Sequence, residues 1–241
     1  MKRNLIAKIA CLLVGIAAFG TPAGATLLYF NDFESNSTAD FSGATTLLTA
    51  PNNVTTFLGP LSAGATATLT LNGVSAYPSF NLSFDLYTIY SLDGSDPNYG
   101  PDYFTVKVNG TTTLFNYTFA NAGATQSYGG VGSPTGTGSD PLLTGQLGFP
   151  NYWGVGSGDY TYHLSLNIIA NGDSTIAFNF IGNSTQGWSD EGFGIDNVSV
   201  SGTPLPAALP LFATGPVPLV REATCGAAPK VEPAPVCANC Y

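Results

Sequence analysis

The chain has 241 residues, a formal net charge of −9 and only 9% charged residues. Of the 15 Asp and Glu residues, all but Glu222 and Glu232 lie between positions 26 and 202, where Lys107 is the only Lys or Arg and no cysteine occurs. This balance excludes recognition of nucleic acid or anionic lipid through phosphate, and it leaves sheet packing or bound cations, not disulfides, to hold that stretch together.

Residues 1–25 read as a secretory signal. Lys2, Arg3 and Lys8 make a positive n-region, Ile9 to Phe19 a short apolar run, and Ala23-Gly24-Ala25 a small-residue cleavage site. The mature chain is therefore expected to begin at Thr26. The apolar run is too short for a membrane-spanning helix. Cys11 does not fit a lipoprotein cysteine, because apolar residues follow it.

Residues 26–202 are long enough for one domain with a sizeable core. They read almost entirely as strand. Phe80, Leu82, Phe84 and Leu86 alternate with polar residues, as do Phe104, Val106 and Val108; Leu164, Leu166 and Ile168; and Ile176, Phe178 and Phe180. One apolar and one polar face per strand predict two antiparallel sheets packed together. Three Asn-Gly pairs, at 72–73, 109–110 and 171–172, are hairpin signals between such runs. Two stretches break the pattern. Residues 90–101 form a polar insertion, and residues 121–159 are rich in Gly, Ser, Thr and Pro, with apolar clusters that predict folding back over one end of the sandwich.

The last strand is expected around residues 190–202. Phe193 and Ile195, then Val198 and Val200, share one face only if the chain slips by one residue at Asp196-Asn197, which predicts a bulge. Pro204, Pro206 and Pro210 then end the sheet. Residues 203–215 read TPLPAALPLFATG, and this resembles the VPLPA variant of the PEP-CTERM sorting signal on Pro204, Leu205, Pro206 and Ala207. The body is similar to the β-sandwich passenger of that family in LSFDLYTIYSLDG (82–94), YGPDYFTVKVNGTT (99–112) and DEGFGIDNVSVSG (190–202). The resemblance implies an exosortase-type protease as processing partner and a setting at the cell surface or exopolysaccharide matrix of a Gram-negative bacterium. In the family an apolar helix and a basic cluster follow the tag. Residues 216–241 contain neither, so the expectation is an irregular tail produced by a frame shift near Gly215, with loss of the anchor. Cys225, Cys237 and Cys240 in that tail fall short of a four-ligand zinc set.

Catalytic signals are sparse. His163 is the only histidine, it sits on the polar side of its run, and no G-x-S-x-G elbow accompanies it. A glycoside hydrolase needs converging carboxylates, whereas Asp190 and Glu191 are adjacent and point to opposite faces of a strand. Metal binding has more to recommend it. Asp93, Asp96, Asn98 and Asp102 crowd a Gly-containing turn, and all-oxygen loops suit Ca²⁺. Asp190, Glu191, Asp196 and Asn197 form a second group, which Asp32 and Glu34 join if the first and last strands pair. Exposed rings stack on sugars, and Tyr87, Trp153 and Trp188 are the candidates, with alternation turning Tyr87 outward.

These readings converge on a secreted, non-enzymatic, all-β protein: an antiparallel, jelly-roll-like β-sandwich of about ten strands. The expected role is structural or adhesive, with Ca²⁺-supported binding of polysaccharide. The alternatives are an extracellular glycan-acting enzyme and an unanchored product of a damaged gene.

Overall fold

The computed structural model describes residues 24–121, 125–129, 143–151, 158–170 and 172–205. All of them fall in one compact unit, residues 1–207. The signal segment, Trp153, Pro206, Ala207 and the tail lie outside the described residues. Among the described residues no helix is long and apolar enough to cross a membrane.

Twelve strands are present among the described residues: β1 (Thr26–Asn31), β2 (Phe41–Gly43), β3 (Leu47–Thr49), β4 (Thr56–Leu61), β5 (Ala65–Asn72), β6 (Ser79–Tyr90), β7 (Tyr103–Val108), β8 (Thr112–Thr118), β9 (Leu143–Thr144), β10 (Asp159–Ile169), β11 (Thr175–Asn183) and β12 (Glu191–Thr203). They make two antiparallel sheets. The seven-stranded sheet runs β3-β4-β12-β6-β10-β9, with β1 also paired to β12, and the five-stranded sheet runs β2-β5-β11-β7-β8. From β4 to β7 the chain alternates between the sheets, as a jelly-roll-like sandwich requires.

Period-2 alternation builds the core. Phe80, Leu82, Phe84 and Leu86 of β6 face Phe104 and Val106 of β7 and Phe178 and Phe180 of β11, all buried in one cluster. Phe84 sets its edge against Phe180, with ring centroids 5.2 Å apart at 85°. The bulge in β12 falls where the slip predicted it. Asp196 opposes Asp85 and Ser199 opposes Ser83, so one extra residue is taken up, and Asn197 has φ +49°. The extra residue keeps Phe193, Ile195, Val198 and Val200 all fully buried.

The Asn-Gly pairs behave differently from one another. Asn109-Gly110, with φ of +50° and +70°, closes the β7–β8 hairpin. The pair at 72–73 instead carries the chain from β5 in one sheet to β6 in the other; Asn171 lies outside the described residues, and the strands before and after it, β10 and β11, belong to different sheets. Those two hairpin expectations are corrected. A local left-handed turn fixes chain reversal but not which sheet the next strand joins.

A second apolar cluster lies on the outer face of the seven-stranded sheet. Ala50, Phe57, Tyr87, Ile89 and Leu147 are buried there, with Phe149 and Trp188 packed against them. From Tyr87 onward β6 is therefore buried on both faces, apart from the half-buried Tyr90 at its end. Gly192 and Gly194 leave room for it: a Cβ at either would overlap the ring of Trp188 or Phe57. Asp159 fastens the covering segment, accepting hydrogen bonds from the backbone N–H groups of Leu147 (3.0 Å) and Phe149 (3.1 Å).

Candidate metal centre

Three carboxylates, two from one turn and one from a distant strand, meet at one end of the sandwich. Asp93 lies in the turn after β6, Asp102 just before β7, and Glu191 opens β12. One oxygen from each lies within 4.8 Å of the others. That is the span an ion bonded at about 2.4 Å to each oxygen can bridge.

The local fold explains the convergence. Strand alternation puts Glu191 on the inner face with Phe193 and Ile195. The turn between Asp93 and Asp102 is closed by its own backbone, with the Asp102 N–H donating to the Gly94 carbonyl at 2.8 Å. Asp96 Oδ1 accepts from the Asn98 and Tyr99 N–H groups, so Asp96 shapes the turn and is not among the three converging carboxylates. Gly94 has φ +63°, and a Cβ there would run into the Thr125 carbonyl.

Donors are scarce at this site. Asp102 accepts from the N–H groups of Asp93 (2.6 Å) and Thr185 (3.0 Å), and Glu191 Oε2 accepts from the Gln186 N–H at 3.2 Å. Glu191 Oε1 is buried and has no hydrogen-bond partner. Asp102 and Glu191 are fully buried and Asp93 is half-buried. Burial, and then the neighbouring Asp102 charge, push the Glu191 carboxyl up to about 10. Burial likewise raises Asp93 and Asp102 above the ordinary carboxylate range. Three carboxylates this close, out of water and short of donors, call for protons or a cation. All the ligand atoms are oxygens, which fits a hard cation such as Ca²⁺ or Mg²⁺.

The remaining predicted ligands fall elsewhere. Asp190 is held by the Ser91 hydroxyl at 2.8 Å. Asp32 caps its own turn, accepting from the Glu34 N–H. The pairing of the first and last strands does occur, with Thr26 opposite Gly202, and it brings Glu34 and Asp196 to the two sides of Thr55. The Thr55 hydroxyl lies 2.7 Å from Glu34 Oε1 and 2.7 Å from Asp196 Oδ2, and the Tyr87 hydroxyl donates to Asp196 Oδ2 at 2.8 Å. Burial raises Asp196, while the Thr56 N–H and the Thr55 hydroxyl lower Glu34.

Of the predicted sugar-stacking rings, Tyr87 does face away from the main core as alternation required, but it is 5% exposed beneath the outer cluster. It is a packing residue with a hydrogen-bonded tip, and an exposed role for it is corrected. Trp188 is half-buried, its ring 5.4 Å from Tyr90 and 6.0 Å from Phe149. His163 is exposed as expected, yet its Nδ1 lies 2.8 Å from Asp85 Oδ1. Pro204 and Leu205 follow β12 directly, and the Leu205 N–H donates to the Ala76 carbonyl at 3.2 Å.

Glu191 is the member of the trio that the turn-centred reading left out of its first ligand group. Its alternation with Phe193 and Ile195 was the available signal, since an acid in phase with core residues must point inward.

No family model matches the chain, and no curated protein matches it. Solved structures with some likeness include a mannan-recognising carbohydrate-binding module, with TM-score 0.39 and 10% identity over 75% of this chain and 99% of that one. A second is a carbohydrate-binding module specific for non-crystalline cellulose, with TM-score 0.38 and 14% identity over 74% of this chain and 95% of that one. A third is a family GH115 4-O-methyl-α-glucuronidase with specificity for decorated arabinogalactans, with TM-score 0.31 and 11% identity over 68% of this chain. The chain spans 17% of that glucuronidase's length. All three contain carbohydrate-directed proteins or modules by description, and what they bind is a statement about them.

Proposed function

We propose that this chain is an exported β-sandwich stapled by Ca²⁺, with a structural or adhesive role among polysaccharides at the cell surface. The observation that carries the reading is Glu191 Oε1, buried without a partner beside Asp93 and Asp102. A cation there ties the 93–102 turn to the start of β12. In a stretch with no cysteine, such a staple takes the part a disulfide plays in other exported domains. Asp102 and Glu191 have no exposed surface, so the trio holds chain segments and does not line a cleft that a glycan enters. That geometry favours the structural reading over a glycan-cleaving one.

Thermal melting with chelator and with Ca²⁺ tests this. At a Ca²⁺ concentration about 100 times Kd, stabilisation is about 2.7 kcal/mol, which is roughly 5–10 °C in a domain of this size. Mg²⁺, which demands tighter octahedral geometry, gives a smaller rise. Identical melting curves with chelator and with Ca²⁺ would remove the staple from the reading.

The resemblance of Pro204, Leu205, Pro206 and Ala207 to a sorting tag supports export and processing by an exosortase-type protease. Intact-mass analysis of the native protein checks it. Truncation near Pro204–Pro206 is the expected result, and a species retaining Tyr241 contradicts it.

A further inference from the structure

The two sheets part along one side of the sandwich. There β8 is the outer strand of the five-stranded sheet, and β9 pairs with β10 only at Tyr160 and Thr161. Two adjoining cavities of about 660 and 520 Å³ open between β8 and β10, with Leu114 in the wall of both. Together they follow β10 from His163 to Ala170, roughly 23 Å at the rise of a strand. A channel of that length suits an extended chain better than a compact small molecule.

Its chemistry narrows the class of chain. The floor is apolar, formed by Phe115, Leu164 and Ile168. Tyr117 and Tyr128 stand at the wall of the larger cavity, with ring centroids 5.7 Å apart at 68°. Tyr117 is 41% exposed although Phe115 lies 4.8 Å from it. Between and beside the rings the polar groups are hydroxyls and amides. Ser127, Thr111 and Thr112 bring hydroxyls to the linings and Asn109 an amide, while Ser165 and Asn167, out of phase with Leu164 and Ile168, turn their side chains to the outer face and accept there from the Asn81 amide at 2.9 and 3.1 Å. Apart from the two tyrosines, the titratable residues in the two linings are Asp173 and His163, whose ring is turned to the outer face and held there by Asp85. Aromatic faces with short hydroxyl and amide groups complement a sugar ring, which presents C–H patches and hydroxyls. A chain with a net charge of −9 disfavours an anionic glycan.

From these features we infer that the β8–β10 cleft binds a neutral polysaccharide strand, with Tyr117 as its exposed stacking ring. The inference rests on the polysaccharide partner of the proposed function and assigns it a place, away from the buried carboxylates.

Affinity electrophoresis of the full chain in Ca²⁺-containing gels tests the assignment. The probes are mannan, a soluble β-glucan and arabinogalactan as neutral chains, and alginate as an anionic one. At least one neutral chain retards the protein and alginate does not. Tyr117→Ala weakens that retardation at least about tenfold, the scale of losing one aromatic anchor, with an unchanged melting temperature. Tyr117→Phe, which keeps the ring, preserves it. If no polysaccharide retards the unmodified chain, the polysaccharide partner falls and the site with it. If retardation survives Tyr117→Ala, the partner stands and the site is overturned. Retardation by alginate alone overturns the neutral class, and concentration-dependent self-association blocked by Tyr117→Ala identifies the cleft as a contact between copies instead.

Discussion

Two buried carboxylates sit on the same strand, Glu191 at the start of β12 and Asp196 at its bulge, and with their acidic neighbours they deal with their charge in different ways. At Glu191, the carboxyls of Asp93, Asp102 and Glu191 converge with backbone N–H groups on their outer sides and no donor between them. At Asp196, hydroxyls stand between the acids: Thr55 separates Asp196 from Glu34, and Tyr87 closes the other side. The first arrangement is complete only with a cation or extra protons. The second is complete with one shared proton. A buried acid is therefore informative about metal binding only when its donors are counted.

The largest effect that can break this comparison is expected at Glu191. Its folded-state carboxyl is raised, so without a cation the fold prefers it protonated. Stability linked to this group is intact below the ordinary Glu range and declines as pH rises through and above it, because the unfolded chain ionises first. The proposed Ca²⁺, once bound, is expected to replace the proton and remove that decline. Glu191→Gln separates the two contributions. In chelator at pH 8 the variant melts at or above the parent chain, since a neutral amide needs no proton taken up on folding, whereas Glu191 must be protonated above its ordinary range to be buried. In Ca²⁺ it gains no further stability. If Glu191→Gln instead lowers the melting temperature in chelator and still responds to Ca²⁺, the ion is bound elsewhere.

How much of this was legible in the residues themselves follows from the range of each signal. The inward faces of β6, β7 and β11 could be read because alternation is local and each strand has one wet face along most of its length. The bulge could be read for the same reason, since only a slip brings Val198 and Val200 into phase with Phe193 and Ile195. Tyr87 could not be placed by alternation alone. Its phase was right, but the cover over it comes from Leu147 and Phe149, in a stretch where no period exists to follow. Asp93 and Asp102 were legible as a crowded turn. Their union with Glu191 depends on β6 and β12 lying side by side in antiparallel register, with Glu191 opposite Tyr90, a long-range pairing that no spacing within the turn encodes.

The gentler effect belongs to the junction at the bulge, and it sharpens the contrast. β4 flanks β12 at Phe193–Ile195 and β1 flanks it from Val198 onward, so Asp196 sits where one neighbour hands over to the other. The Thr55 hydroxyl has one hydrogen but two carboxylate oxygens at 2.7 Å. Glu34 is lowered and burial raises Asp196, so of the two acids Asp196 is the one that takes up a proton more readily as pH falls. An acid raised by folding contributes stability that is complete below the ordinary Asp range and fades as pH rises toward its folded value, at about 1.4 kcal/mol per unit of rise. Asn at this position can donate to Thr55 at every pH and keeps an oxygen for the Asn197 N–H, while the Tyr87 hydroxyl loses the Oδ2 it donates to. In a Glu191→Gln background, where the other carboxylate group no longer has its most strongly raised member, Asp196→Asn should therefore flatten the fall in melting temperature as pH rises above the ordinary Asp range. An unchanged slope would mean that Asp196 is ionised in the fold, and that the junction, like the trio, relies on something other than a proton to keep its two carboxylates together.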